Sequence, residues 1–437
     1  MALIGESAFE WLEFDKEGRL LSPGGVDRIN ADLSACSGQN LVIISHGWNN
    51  DRDDAWKLYH QLWLNTSNAL RRVGADPSTY VVAGVLWPAI KSRTDFDVEA
   101  ADAEAVTQNT LSVDPVDPNS TDLSEPRLRL VLDDFVDLVG TDEALEAREI
   151  ALRFVDDDRL SNQMVDAVLN AIDRSGTDPE EADDLAVLEL PPSEIVPSLA
   201  LPLDTRIGAD AGETLGLGDR LRSIINGPRA AAGRLFNLVT YYTMKKRAGV
   251  IGRTLGGSVL PLFRSNRPLR LHLVGHSFGA RLVTSAAHAV PPLQHSGLHS
   301  LVLLQGAFSH NAFAGAAQGR KAGVFEGAQR KVVGSTVITH THNDSSVTLA
   351  YAIASRLAGD STRAIGGAGD PFGAMGANGA LHIDQDLALP KPPPMSAGVA
   401  YAMQSGKVHN MKADNCINGH SDVANKEVGR LLAATIR

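Results

Sequence analysis

The sequence predicts an α/β protein with a mainly parallel β-sheet, flanking helices and a large helical insertion. First, the apolar run LVII at residues 41–44 is followed by an amphipathic helical pattern over 53–72 and by a second buried run, YVVAGVLW, at 80–87. A strand, a helix and a strand in this order are typical of a parallel crossover unit. Second, residues 269–290 repeat the change from strand to helix, because alternating leucines give way to apolar residues at helical spacing.

The chain divides into three predicted parts. Residues 1–94 form the first part of a sheet-based core, residues 95–228 an acidic helical insertion, and residues 229–437 the second part of the core. In the insertion, acidic residues cluster, strand-like runs are absent and apolar residues recur at helical spacing. A solvated acidic linker with short helices is the alternative interpretation of residues 95–228.

Shorter patterns predict the remaining elements of the core. Near the N-terminus we expect a two-stranded hairpin that turns at Gly18. In the second part we expect a largely helical stretch over 230–262, strands at 300–304, 332–333, 336–339 and about 407–411, a glycine-rich loop over 366–379, and a closing helix over 422–436 capped at Ser421-Asp422.

Composition limits the classes of partner and the compartment. The 437 residues carry a formal net charge of −12, which argues against binding to nucleic acid or to anionic membrane surfaces. No apolar run is long enough to span a bilayer, and the start, MALIGESAFEWLEF, lacks the pattern of a secretory signal. The two cysteines, Cys36 and Cys416, cannot form a disulfide framework. We therefore expect a cytoplasmic protein without a transmembrane segment, and the sequence indicates no particular protein partner.

The pentapeptide Gly275-His276-Ser277-Phe278-Gly279 lies where the strand predicted within residues 269–290 turns into the helix. A serine nucleophile needs such a sharp turn to expose its hydroxyl above the sheet, and glycines at both ends let the helix pass close to the strand. Amide groups at the N-terminus of the helix would help to stabilise an oxyanion. A glycine-rich loop with an incidental serine is the alternative, but the strand and the helix on either side favour the nucleophile.

The segment GHSFGARLV resembles the nucleophile region of the α/β-hydrolase superfamily, in particular of its bacterial lipase-like and serine-esterase-like members. The resemblance covers residues from about 38 to 90 and from about 235 to 437. It implies the α/β-hydrolase fold, a catalytic serine, acid and histidine in that order along the chain, and no cofactor. Insertions such as residues 95–228 often cap the active site in this superfamily, and the resemblance alone implies a lid here.

If Ser277 is the nucleophile, an acid must follow it in the sequence, and the base must follow the acid. Asp344 is the preferred acid because it comes just after the predicted strand 336–339, at the end of a strand where ligands bind in α/β sheets. Asp370 and Asp414 are alternatives, although Asp370 lies in the glycine-rich stretch and Asp414 lies close in sequence to the preferred base. A loop aspartate that caps the following helix is the non-catalytic interpretation of Asp344.

Three histidines that follow Asp344 could be the base, namely His382, His409 and His420. We prefer His420 because it lies between the last predicted strand and the closing helix, after the turn pair Asn418-Gly419. Hydrolases of the superfamily that this chain resembles carry their histidine there. A surface histidine beside a helix cap is the alternative interpretation.

An oxyanion hole needs two backbone N–H groups, one of them from the residue after the nucleophile, here Phe278. The pair His46-Gly47 follows the LVII strand directly and resembles the oxyanion loop of esterases and lipases. We therefore expect the second N–H group to come from Trp48, or else from Gly47.

Two other groups of side chains could carry chemistry. Cys416 lies near His420 in the sequence, but no second elbow marks it as a nucleophile, and cysteine is more often a small buried apolar residue. His340, His342 and Asp344 could mimic a metal site, although a third histidine at suitable spacing is missing. We therefore expect no bound metal.

The sequence thus predicts a serine hydrolase that cleaves carboxylic esters, of small molecules or lipids, through an acyl-enzyme. In this prediction Ser277 attacks the ester, His420 acts first as general base and then as general acid, and Asp344 orients His420. A thioesterase, an amidase or an acyltransferase would use the same residues. The alternative from another class is a non-catalytic scaffold of the same fold that binds a ligand or a protein through its acidic insertion.

Overall fold

In the computed structural model the chain divides into two compact units. The first comprises Met1–Lys91, Met244–Val347 and Ala374–Arg437, and the second comprises Ser92–Thr243 and Thr348–Gly373. Most of the predicted insertion, residues 95–228, lies outside the residues that the structure describes. Those are residues 2–36, 39–48, 50–89, 132–133, 135–137, 139, 142–154, 161–171, 191, 193, 195, 228–264, 267–291, 296–317, 321–344, 373–389 and 394–437.

One sheet forms the centre of the first unit. Its described part has eight strands in the spatial order β1-β2-β4-β3-β5-β6-β7-β8. Only β1 is antiparallel to its neighbour, and the other six strand pairs are parallel. The molecule is therefore an α/β protein with a mostly parallel sheet. The strands are β1 (Ala2–Ile4), β2 (Ser7–Glu13), β3 (Asn40–Ser45), β4 (Tyr80–Leu86), β5 (Leu269–His276), β6 (Ser296–Leu304), β7 (Ser335–His340) and β8 (Val408–Lys412).

Helices lie in most of the described connections between parallel strands, as is usual for parallel pairing. The division between the two units falls inside the longest of them, α5, which continues into a π-helical turn at Leu255–Val259. No helix in the described part of the chain is both long and apolar enough to cross a membrane. The helices are α1 (Pro23–Ala35), α2 (Arg52–Arg72), α3 (Asp142–Phe154), α4 (Ser161–Asn170), α5 (Pro228–Thr254), α6 (Phe278–Ala289), α7 (Met375–Asn378) and α8 (Lys426–Ile436).

The core of the first unit follows from continuous apolar runs in the central strands. Side chains of a strand alternate between the two faces of the sheet, so that Val42 and Ile44 of β3 point to the same face. There they join a buried cluster with apolar residues of α2 and α8. The two helices cross closely because Gly429 of α8 has no side chain. A Cβ atom at this position would lie 2.6 Å from the Cβ atom of Asn65 in α2. This close crossing fixes α8, and with it the loop that precedes it.

In the second unit, the described helices α3 and α4 bury one apolar face each. Ala144 and Ala147 of α3 and Val165 and Val168 of α4 have almost no exposed surface. An ion pair of 2.7 Å joins Arg148 of α3 to Asp133. These helices agree with the helical spacing read from residues 95–228, whereas the predicted boundaries of that insertion remain predictions.

The N-terminal hairpin differs from its prediction. The two strands β1 and β2 turn at Gly5, whose φ angle is +61°, and not at Gly18. Gly18 also has a positive φ angle, +81°. The turn at Gly18 joins only two short segments, which meet at an isolated antiparallel bridge between Phe14 and Leu20. Both positions require the left-handed conformation that glycine adopts without a Cβ clash, so composition alone did not distinguish them.

Three further predictions of elements were wrong. Within the predicted glycine-rich loop over 366–379, Met375–Asn378 forms the short helix α7. Val332 and Val333 do not form a strand, because they follow a 3₁₀ turn at Ala328–Lys331. The closing helix begins at Lys426 rather than at residue 422. Its N-cap is Asn425, whose side chain accepts hydrogen bonds from the backbone N–H groups of residues 427 and 428.

Candidate active site

Ser277 occupies a sharp turn between β5 and α6. Its φ angle is +58° and its ψ angle is −123°, a conformation that costs a residue with a side chain about 1–3 kcal/mol. Backbone hydrogen bonds hold this turn. The Ser277 N–H donates to the Leu304 carbonyl at 3.0 Å, and the Ser277 carbonyl accepts from Ala280 at 3.0 Å and from Ala307 at 3.2 Å. The turn is thereby tied to the end of the neighbouring strand β6.

The glycines beside the turn allow its close packing. A Cβ atom on Gly275 would lie 2.3 Å from the carbonyl oxygen of Gly279. A Cβ atom on Gly279 would lie 2.3 Å from the Ser45 carbonyl oxygen and 2.4 Å from that of His46. The first turn of α6 therefore rests directly on the end of β3, where the predicted oxyanion loop begins.

Gly47 of this loop lies against the side chain of Ser277. A Cβ atom on Gly47 would approach the Ser277 Cβ atom to 2.6 Å and its Oγ atom to 3.1 Å. Next to Gly47, the ring of Trp48 meets the ring of Phe278 edge to face, with 6.3 Å between their centroids. The three residues predicted to form an oxyanion hole, Gly47, Trp48 and Phe278, thus lie together around Ser277.

His46 holds the loop in place through contacts of its ring and of its backbone. The sequence alone predicted no role for this residue. Its ring stacks on Trp87 with centroids 5.5 Å apart, and its backbone N–H donates to the Tyr59 hydroxyl at 2.7 Å. Burial lowers the pKa of His46 to about 4, so the ring is neutral at pH 7. His46 Nε2 accepts a hydrogen bond from the backbone N–H of Trp87 at 3.4 Å. The proton of the neutral ring is therefore on Nδ1, which donates to the Gly47 carbonyl oxygen at 2.8 Å.

His420 and Asp344 form a hydrogen bond of 2.8 Å between Nδ1 and Oδ2. Asp344 is completely buried, while the His420 side chain keeps 19% of its surface exposed. Asp344 lies on the loop that follows β7, and His420 lies on the loop between β8 and α8. Because Nδ1 bonds the carboxylate, Nε2 is the ring nitrogen that points away from Asp344.

His276 connects this pair to the turn of Ser277. Its Nε2 atom donates to the His420 carbonyl oxygen at 2.9 Å, and the two rings are 4.8 Å apart. Burial, followed by the nearby ring of His420, lowers the pKa of His276 to about 3, so His276 is neutral at pH 7. The structure therefore brings Ser277, His420 and Asp344, three residues far apart in sequence, to one edge of the sheet.

Gln305 is a second residue that sequence reasoning missed. It is the first residue after β6, it is completely buried, and its Nε2 atom lies 3.2 Å from Asp344 Oδ2. A polar residue after an apolar strand was the only signal in the sequence, and many loops share it.

The alternative acids have other surroundings. Asp414 accepts hydrogen bonds from the Thr341 hydroxyl at 3.0 Å and from His342 Nδ1 at 3.1 Å. Partial burial would raise the pKa of Asp414, but hydrogen bonds from His342, Lys412 and Thr341 lower it well below its usual range. Asp370 lies outside the described residues.

The alternative bases also lie elsewhere. His409 belongs to β8 itself, and its Nε2 atom accepts a hydrogen bond from the Gln404 N–H at 3.1 Å. Burial lowers the pKa of His409. His382 has a positive φ angle of +54° in the segment between α7 and β8.

The remaining candidates do not favour thiol or metal chemistry. Burial and then the nearby charges of Glu427, Asp422 and Asp414 raise the pKa of Cys416 to about 11, so its thiol is protonated at pH 7. His342 pairs with Asp414, whereas Asp344 pairs with His420. Among the residues that the structure describes, no three His, Cys, Asp or Glu side chains are grouped so that they could hold a metal ion.

Comparison with known proteins gives no relative for this chain: no protein-family model, no curated protein and no solved structure matches it.

A cavity of about 410 Å³ lies between α2 and α8, away from the turn of Ser277. None of the candidate site residues lines it. Its lining residues are Asn65, Asn68, Ala69, Arg72, Gly398, Lys426, Glu427 and Arg430.

Proposed function

We propose that the protein is a serine hydrolase of the α/β-hydrolase fold that cleaves carboxylic esters of small molecules or lipids through an acyl-enzyme. The observation that carries this proposal is the hydrogen bond from His420 to the buried Asp344, beside the strained turn that bears Ser277. The nucleophile, the acid and the base follow β5, β7 and β8, which is the chain order of the superfamily that the sequence resembles.

In the proposed acylation step, Ser277 Oγ attacks the ester carbonyl carbon while His420 Nε2 accepts the hydroxyl proton. Asp344 stabilises the imidazolium that forms and fixes its Nδ1 proton. The imidazolium then donates the proton to the leaving alkoxide as the carbon–oxygen bond breaks, which releases the alcohol. In deacylation, water attacks the acyl-enzyme and gives its proton to His420, and the proton returns to Ser277 as the acid leaves.

The His46 tether supports the assignment of Trp48 to the oxyanion hole. The Gly47 carbonyl oxygen accepts a hydrogen bond from His46 Nδ1 at 2.8 Å. In a planar trans peptide the carbonyl and the following N–H point in opposite directions, so the Trp48 N–H points away from the His46 ring. This N–H and that of Phe278, at the N-terminus of α6, would hold the oxyanion that develops on the substrate.

A fluorophosphonate probe, which reacts covalently with an activated serine, tests the proposal. We expect the wild-type protein to be labelled at Ser277 and to hydrolyse short p-nitrophenyl esters, and we expect Ser277→Ala to do neither. His420→Ala should slow labelling by about 10³-fold or more, because the hydroxyl loses its base.

His342→Ala is the matched control for His420→Ala. His342 also bonds an aspartate, Asp414, at 3.1 Å, but 45% of its side chain is exposed. We expect this variant to be labelled at the wild-type rate. The absence of labelling in the wild-type protein, or equal labelling of Ser277→Ala, would contradict the proposal and favour a non-catalytic scaffold.

A further inference from the structure

Gln305 stands at the end of β6 in a backbone conformation that residues with side chains rarely adopt. Its φ angle is +47°, and none of its surface is exposed. Both polar groups of its side chain, the amide nitrogen and the amide oxygen, have hydrogen-bond partners in the structure. A strained and buried polar residue beside the candidate acid calls for a functional explanation.

The orientation of the Gln305 amide follows from which of its neighbours can donate a hydrogen bond and which can only accept one. The backbone N–H of Gln305 donates to Thr339 Oγ1 at 3.2 Å. That hydroxyl has one proton of its own, and it donates this proton to Gln305 Oε1 at 3.0 Å. On the other side of the amide, the Asp344 carboxylate and the Gly376 carbonyl can only accept, so Nε2 faces Asp344 Oδ2 at 3.2 Å and the Gly376 carbonyl at 3.2 Å, and Oε1 faces Thr339.

We propose that Gln305 is a positioning residue for the candidate acid: it donates a hydrogen bond to Asp344 Oδ2 and so keeps this carboxylate ionised and directed at His420 Nδ1. Asp344 Oδ2 receives both hydrogen bonds, from Gln305 Nε2 and from His420 Nδ1. Thr339 in turn holds the amide of Gln305 so that it can only donate. The consequence for catalysis rests on the proposed function, but the effect on the titration of His420 does not.

A neutral amide is the side chain that suits this place. A lysine or an arginine would compete with His420 for the charge of Asp344 and would make the imidazole less basic. A glutamate, once ionised, would place a second negative charge beside that of Asp344 and would lose the hydrogen bond that the amide donates. The amide stabilises the anion of Asp344 without adding a charge of its own.

Gln305→Glu is the decisive variant, because the glutamate has nearly the same shape. Its added carboxylate, once ionised, should stabilise the imidazolium of His420. We expect the midpoint of the His420 titration to rise by about one pH unit. The rise of kcat with pH should shift by the same amount, while KM changes less than about twofold because no substrate contact is altered.

Nuclear magnetic resonance of the imidazole Cε1–H measures the titration directly and requires no turnover. The His420 signal is assigned by its loss in His420→Ala. The titratable groups whose contacts with His420 are described, Asp344 and His276, remain in wild type and variant alike. The difference between the two titrations therefore reports the change at residue 305.

Thr339→Val and Thr339→Ser form a second, matched pair, which covers the case that Gln305→Glu fails to fold. Valine removes the hydroxyl that orients the amide, whereas serine keeps it. We expect Thr339→Val to lower the His420 midpoint and to reduce kcat about tenfold, as for the loss of one oriented hydrogen bond. Thr339→Ser should match the wild-type protein in both measurements.

The outcomes separate this inference from the proposed function. If Thr339→Val and Thr339→Ser behave alike, or if Gln305→Glu folds and leaves the His420 midpoint unchanged up to a pH at which the added carboxylate is ionised, Gln305 is not a positioning residue. If the midpoint shifts as expected but the wild-type protein neither reacts with fluorophosphonate nor hydrolyses esters, the positioning inference stands and the proposed hydrolase function falls.

Discussion

Backbone strain is concentrated at the candidate site. Among the described residues, three that are not glycine have positive φ angles, namely Ser277, Gln305 and His382. Two of these lie directly after the neighbouring parallel strands β5 and β6, at the edge of the sheet where ligands bind in α/β proteins. Each such residue costs about 1–3 kcal/mol, and the hydrogen bonds around the two turns must hold it in place. Strain at this edge is consistent with a site that is preorganised for chemistry.

Gly47→Ala tests how closely the oxyanion loop must approach Ser277. The added Cβ atom would lie 2.6 Å from the Ser277 Cβ atom, a distance at which one of the two residues must move. A displacement of about 1 Å at a nucleophile can cost about 100-fold in rate, so we expect fluorophosphonate labelling to slow by about that factor. The fold should remain, because the clash is confined to this loop and the turn of Ser277.

Gly257→Ala is the control for this substitution. A Cβ atom on Gly257 would meet nothing closer than the Ala289 carbonyl oxygen at 3.9 Å. We expect it to be labelled like the wild-type protein. Wild-type labelling of Gly47→Ala would show that the loop can yield, and the assignment of Gly47 and Trp48 to an oxyanion hole would lose its main support.

The sequence allowed prediction of the residues whose position follows from a motif or from chain order. Ser277 was marked by its pentapeptide, and Asp344 and His420 were selected because they follow late strands. Their roles remain proposals, but the structure brings the three residues together. Gln305 and His46 could not be selected, because their contacts depend on Thr339 and Trp87, which come close only in the folded chain.

At the scale of the elements, the loop before α8 links the candidate base to the start of the closing helix. Asn425 caps α8 through its Oδ1 atom, which accepts from residues 427 and 428 at 3.0 Å each. Its Nδ2 atom donates to the carbonyl oxygens of Cys416 at 2.7 Å and of Asp422 at 2.8 Å. One side chain therefore both starts the helix and closes the loop that carries His420.

Two substitutions of Asn425 separate these contributions. Asn425→Ala removes the cap and the loop contacts, and loss of a cap costs about 1 kcal/mol of unfolding free energy. Asn425→Ser keeps an acceptor for the helix, because serine is a favoured N-cap residue, but loses the amide donor for the loop without adding a charge. We therefore expect Asn425→Ser to lose less than half as much stability as Asn425→Ala in urea unfolding, while both variants hydrolyse ester more slowly. Equal destabilisation by the two would contradict the dual role.

The elements that were predicted well are those with long apolar runs or strong helical spacing. The predicted strands at 41–44, 80–87, 300–304 and 336–339 correspond to β3, β4, β6 and β7, and the helix at 53–72 corresponds to α2. The N-terminal hairpin and the start of α8 were less predictable, because each region offers several turn or cap residues and tertiary contacts select one. Val332 and Val333 have strand-forming side chains, but the preceding 3₁₀ turn leaves them outside the ladder.

At the scale of the whole molecule, the buried histidines couple folding to pH. Four histidines of the first unit have strongly lowered pKa values with burial as the main cause: about 4 for His46, about 3 for His276, about 4 for His340, and well below 6.5 for His272. All four are neutral in the folded protein at pH 7. In the unfolded chain they would titrate near pH 6.5.

The sign of the effect follows from proton binding. Between pH 6.5 and about 4 the unfolded state binds more protons than the folded state, so stability is present above pH 6.5 and is lost as the pH falls through this window. Each histidine contributes about 1.4 kcal/mol per pH unit once its unfolded form is fully protonated. Four of them give a slope of roughly 5 kcal/mol per unit, which is large against a typical total stability of about 5–15 kcal/mol.

Urea unfolding at pH 7, 6 and 5, followed by tryptophan fluorescence, measures this slope for the first unit, because all five tryptophans lie within residues 11–87. We expect the unfolding free energy to fall steeply toward pH 5. His272 is the residue to replace, since its ring bonds Ser300 at 2.9 Å and Asn40 at 3.1 Å and takes no part in the candidate site. His272→Gln removes one titrating group, so its slope should be smaller than that of the wild-type protein by about 1.4 kcal/mol per pH unit. An identical slope in the two proteins would mean that His272 binds its proton equally well in the folded and the unfolded protein. Burial would then not lower the pKa of His272.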